Sequence, residues 1–155
     1  MSTLLRWVCV LCLGAAPVLS AFAGGTADPQ EEQSIKAVLA RFYEGWNTHD
    51  ADKMVSAYAD DIDHINVFGE WHQGKTAIKE DIVQLHTGPG KNSHKDYTIE
   101  KMRFIKPDVA VVTVRSVSAL GGNIGTYVLT KDTGQWLVVN FTNVVYELPG
   151  KKQIG

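Results

Sequence analysis

Residues Trp46 to Glu80 read WNTHDADKMVSAYADDIDHINVFGEWHQGKTAIKE, and the run spells a helix end, a short helix, a strand, a turn and a helix start. Asp50 is placed to cap the short helix, because an aspartate oxygen can accept from a free N–H of the first turn. That helix is expected to carry Met54, Val55 and Tyr58 on its buried side. Ile62 to Phe68 alternates polar and apolar residues as a strand does, Gly69 begins a tight turn, and Gly74 opens a third helix with Ile78, Ile82 and Leu85 on its apolar stripe.

Upstream, Asp28 followed by Pro29 is an N-cap with proline at the first helical position, and Glu31 and Glu32 suit the positive end of the dipole. The first helix is expected to run to about Thr48, with Ile35, Val38, Leu39, Phe42 and Trp46 on one face. Downstream, Gly88 to Ser93 is a loop, and four strands are predicted near Tyr97–Ile105, Val109–Ala119, Ile124–Lys131 and Gln135–Glu147. The turn chemistry between them (Lys106-Pro107-Asp108, Gly121-Gly122-Asn123, Asp132-Thr133-Gly134) implies an antiparallel meander. Helices first and sheet afterwards is an α+β layout.

Length bounds the rest. A chain of 155 residues, 45% hydrophobic, supports one domain with a real core. Its first residues read differently: Arg6 is a positive n-region, Trp7 to Leu19 is almost wholly apolar, and Ala21-Phe22-Ala23 is a small-x-small cleavage pattern. We therefore expect a signal peptide over 1–23, a flexible lead-in over 24–28, the domain over 29–148 and a tail over 149–155. The apolar run is short for a bilayer span, so no stable membrane span is expected after cleavage, and the location is secreted or periplasmic. Cys9 and Cys12 both fall within the signal, so the expected mature chain has neither a disulfide framework nor a cysteine nucleophile. Removing Arg6 from the 15 basic residues leaves 14 against 17 acidic ones, with no basic run to suggest a nucleic-acid partner.

Three blocks, WNTHDADKMVSAYADDIDHINVFGEWHQGKTAI, MRFIKPDVAVV and TYVLTKDTGQWLVVNFTN, resemble in sequence and order the SnoaL-like and SgcJ/EcaC-type families of the nuclear transport factor 2-like (ketosteroid isomerase-like) superfamily. The resemblance implies a cystatin-like cone: a curved antiparallel sheet wrapped around about three helices, a blind pocket at the wide end, and often a homodimer across the outer sheet face. Isomerases, cyclases, dehydratases, epoxide hydrolases and plain binding domains all share this fold, so function has to come from pocket residues. Followed outward from Ala59-Asp60-Asp61, similarity to ketosteroid isomerase sets its proton-abstracting carboxylate on Asn66, its phenolic donor on Phe42 and its acidic donor near Tyr127. Asparagine is no general base near neutral pH, so that mechanism is not carried over.

Strand parity gives Ile62, His64, Asn66 and Phe68 one face, and turns Val139, Phe141 and Asn143 toward the pocket. His64 is the candidate acid/base, since its ordinary pKa is near neutrality, although the pattern favours a hydrogen-bonded structural histidine over a catalytic one. Tyr127 or Asn143 can steady an oxyanion. Trp46, Tyr58, Asn66 and Asn143 are candidate ligand contacts. Arg115 lies on a different face of its strand from Val112 and Val114, which leaves open whether it anchors an anion in the pocket or faces outward. His49 and His72 are expected to be exposed, and His86 to suit its helix C-terminus as a cation.

No histidine pair has zinc-site spacing, so no metal is expected. Gly88-Pro89-Gly90-Lys91 lacks the first glycine of a phosphate loop, and no GxGxxG follows a strand, so no nucleotide cofactor is expected. Asp60, Asp61 and Asp63 are no carboxylate cluster, because adjacent positions on a strand point apart and the pair Asp60-Asp61 marks a helix-to-strand turn, while Trp71 and Trp136 read as core and sheet aromatics. Three functions stay open: a binding module for a small apolar or aromatic molecule, a cofactor-independent isomerase, dehydratase or hydrolase, and a dimeric assembly domain.

Overall fold

The computed structural model describes residues 28–147, so the expected signal, most of the lead-in and the tail lie outside the described residues. Helix α1 (Pro29–Thr48) starts where Asp28 accepts from Gln30 N at 2.9 Å and ends on His49 in the left-handed region. Ile35, Leu39, Phe42 and Trp46, spaced four, three and four apart, are all buried and form the helix's inward stripe. Asp50 caps α2 (Ala51–Val55) by accepting from Lys53 N at 2.9 Å. Gly45 lets α2 seat this closely: a Cβ there would lie 2.7 Å from the backbone nitrogen of Met54.

The sheet order is β2-β1-β6-β5-β4-β3, with β1 Tyr58–Ile65, β2 Trp71–Gln73, β3 Lys95–Lys106, β4 Val109–Ser118, β5 Gly121–Asp132 and β6 Gln135–Glu147. Strands β3 to β6 form the expected antiparallel meander, and β1 closes onto β6 in parallel. Helix α3 (Lys75–Thr87) crosses between β2 and β3, with Ile78 and Ile82 buried. Glu31 ties the start of α1 to the sheet, accepting from Lys131 Nζ and Trp136 Nε1, each at 2.6 Å.

Several local expectations are corrected. Tyr58 opens β1 instead of riding on α2, and β1 stops at Ile65, because the Asn66 side chain diverts the backbone: its Oδ1 accepts from Phe68 N and Glu70 N. Residues 71–73 form a short strand paired with β1, which leaves His72 half-buried and Trp71 on an edge, 62% exposed. Gly121-Gly122-Asn123 belongs to β5, so the turn lies one step earlier. On β6 the alternation slips, because Asn140 faces Val128 and Val138 faces Leu129, leaving Val139 as the extra residue. The slip turns Val138 inward along with Phe141, against the uniform parity read from sequence.

Candidate functional site

Between the inward stripe of α1, helix α3 and the concave sheet lies a cavity of about 320 Å³. Phe42 anchors its floor: its ring meets Tyr58 at 5.6 Å, Phe141 at 5.9 Å and Tyr127 at 6.2 Å. Phe141 in turn stacks on Tyr127 at 4.1 Å and on His64 at 4.8 Å. Among such apolar walls a polar group counts for more than it would at a surface, because the local dielectric is low.

Six of the residues singled out from sequence line this cavity: Trp46, Tyr58, His64, Asn66, Tyr127 and Asn143. Arg115 does not. It lies on the outer face of β4, its Nε donating to Glu100 Oε1 at 2.9 Å and its guanidinium set 4.6 Å from the Tyr146 ring centre. Alternation decides this, because Ala110, Val112, Val114 and Ser116 take the inward positions.

His64 is buried, and neither ring nitrogen has a partner among the described residues. Burial, with smaller contributions from the charges of His72 and Lys95, pulls its pKa down to about 4, so the ring is neutral at pH 7. No described residue supplies the hydrogen bond that the structural reading of this histidine assumed. Tyr127 is fully buried, and its hydroxyl lies 3.0 Å from that of Tyr43. Burial raises the pKa of both phenols, that of Tyr43 to about 12, so both keep their protons and one donates to the other. Asn66 sits in the turn at the rim, where its Nδ2 donates to Glu70 Oε2 at 2.7 Å.

His86 departs from its expected role. It is buried, its Nδ1 lies 2.7 Å from that of His49, and burial first, then the His49 and Lys95 charges, lower its pKa to about 4. At neutral pH it is not the cation that the helix C-terminus would favour. His49 is exposed, as expected. At the rim, Glu70, His72 and Asp81 bring one potential ligand atom each to within 4.8 Å of one another, a grouping that sequence spacing did not show. The carboxylates of Glu70 and Asp81 each lie 4.0 Å from His72 Nε2.

Sequence reasoning missed Lys95. It reads as the end of a loop, yet it is the first residue of β3 and only 6% exposed. Asn47 fixes it from both sides, Oδ1 accepting from Lys95 N at 2.7 Å and Nδ2 donating to Lys95 O at 3.1 Å. Its ammonium lies 3.4 Å from the Trp46 ring centre, and the indole is held by a 2.8 Å bond from Nε1 to Ser93 Oγ. Burial lowers the Lys95 pKa to about 8. Asn47 carries the one sequence signal for this arrangement, a polar residue one step from the buried Trp46 on α1.

A curved six-stranded sheet with three helices packed against it is the architecture of the nuclear transport factor 2-like class, also called cystatin-like. Solved structures of that class superpose on the chain. A cystatin-like domain of unknown function from Nostoc punctiforme has a TM-score of 0.73 and 18% identity, covering 82% of this chain and 81% of its own. A ketosteroid isomerase-like protein from Erwinia carotovora atroseptica gives 0.66 and 16%, covering 76% and 98%. A nuclear transport factor 2-like protein of unknown function from Shewanella oneidensis gives 0.65 and 16%, covering 74% and 98%. At these identities the likeness is one of fold. No curated protein matches the chain. Residues 39–148 match the SnoaL-like domain, and the chain belongs to that family.

Proposed function

We propose that this SnoaL-like domain binds a small, largely apolar or aromatic molecule in its cone. The observation that carries the reading is the cavity itself: about 320 Å³, walled by aromatic rings, with a few fixed polar groups. Neutral His64, the Tyr43–Tyr127 hydroxyl pair and Asn143 supply orientation more than charge. The test is a melting screen of the purified domain against aromatic metabolites, because a native-state ligand raises stability by mass action. A library that shifts nothing, repeated by calorimetry, refutes the reading.

A second reading, cofactor-independent proton transfer, is favoured by one observation: His64 is neutral at pH 7 and has no hydrogen-bond partner on either nitrogen among the described residues. A histidine held near 4 is a weak base, so binding ranks ahead of catalysis. Turnover that survives His64→Ala in a folded protein excludes His64 as the acid/base.

We also propose export, supported by Arg6, the apolar run Trp7 to Leu19 and the Ala21-Phe22-Ala23 pattern. Secretion assays of the chain with and without residues 1–23 test it. A homodimer through the outer sheet face has the support of Val117 and Val144, both exposed there.

A further inference from the structure

Among the described residues, Lys95 is the one lysine or arginine that lines the cavity. The other formally charged side chains that line it, Glu70 and Asp81, belong to the rim, with side chains 63% and 32% exposed. Among the described residues no carboxylate lies within ion-pair distance of Lys95 Nζ, although six other lysine or arginine side chains do pair with a carboxylate there. A buried ammonium is costly unless an anion matches it. The fold nevertheless keeps it in place. Asn47 clamps the backbone on both sides, Ser93 locks the indole, and the Trp46 ring covers the ammonium at 3.4 Å. Nothing but burial perturbs its pKa, and at about 8 the side chain is still mostly protonated at pH 7.

We propose that Lys95 is an anion anchor, and that the molecule held in the cone is an aromatic or apolar monocarboxylate whose carboxylate lies against the Lys95 ammonium. This rests on the small-molecule reading above and specifies its ligand class. One carboxylate matches one ammonium. A phosphate monoester would bring a second charge into apolar walls, with no guanidinium among the cavity's residues to receive it. An amine would meet a like charge, and a neutral ligand would leave the ammonium unmatched. The aromatic walls fix the remainder of the molecule as a flat, apolar body.

The experiment compares 2-naphthoate with its neutral amide, 2-naphthamide, by isothermal titration at pH 7 into the purified wild-type domain and Lys95→Met. The expected result is that wild type binds the acid at least tenfold more tightly than the amide, and that Lys95→Met abolishes this preference while still binding the amide. Equal affinity for acid and amide in the wild type overturns the anchor and leaves the apolar pocket standing. A preference for the acid that persists in Lys95→Met also overturns it. Binding of neither probe refutes the anchor and the pocket reading together. The acid-to-amide ratio in the wild type needs no variant, so the outcome does not hang on the folding of Lys95→Met.

Discussion

Lowering the pH should destabilise this protein through His64 in a way that one substitution removes. In the native state the ring is stacked on Phe141 at 4.8 Å, without a hydrogen-bond partner among the described residues, and held to a pKa of about 4, against an ordinary value of 6.5. Between those values the unfolded chain takes up a proton that the folded chain refuses, so stability falls as pH drops from about 6.5 toward 4 and is fully present above 6.5. At about 1.4 kcal/mol per pH unit, the full drop is worth on the order of 3 kcal/mol, a large share of a small domain's stability. His64→Phe keeps the ring shape and its stacking while removing the titrating group. Urea unfolding at intervals from pH 7 to 4 measures both proteins, and the difference between them cancels the carboxylates, which titrate alike in each. Wild type should lose about 3 kcal/mol more than the variant over that range, and at pH 7 the variant should match or exceed wild type, because it buries no unpaired nitrogen. Parallel profiles would refute a buried, neutral His64.

Gly45→Ala should cost about 1–3 kcal/mol in thermal or urea unfolding, despite alanine's better helix propensity, because the added Cβ runs into the backbone of Met54. Tyr127→Phe should cost about 1 kcal/mol by removing the partner of the Tyr43 hydroxyl, with the fold intact by circular dichroism. Arg115→Ala should leave ligand affinity unchanged in titration, since its guanidinium is engaged on the outer face. Asp substitutions at Asn140 and Thr142 should split a dimer built on that face, seen as a halved mass in analytical ultracentrifugation; wild type that is monomeric at all concentrations excludes the dimer.

How much of this was legible in the chain varied with the range of the interactions involved. The Asp28 and Asp50 caps, the stripe from Ile35 to Trp46 and the turns at Pro107-Asp108 and Thr133-Gly134 depend on neighbours within a few residues, so sequence carries them whole, whereas the β4–β5 turn falls one step before Gly121. Parity worked for β4 and for Ile62 and His64, where the pleat runs unbroken, and failed after Ile65 and at Val139, where a side-chain-capped turn and a bulge reset the alternation. The Glu70, His72 and Asp81 grouping escaped notice because it joins β2 to α3 across a turn.

The sequence by itself determined the order of helices and strands apart from β2, the α+β class, the family, and six of the residues that line the cavity. Those follow from hydrophobic period, caps and turns, which act over short stretches of chain. Only the tertiary structure decided the electrostatics: His64 neutral, Arg115 outside, and Lys95 buried beneath Trp46. A charge's energy depends on what surrounds it in space, and the groups around Lys95 come from α1, β1 and α3, elements that only the folded chain brings together.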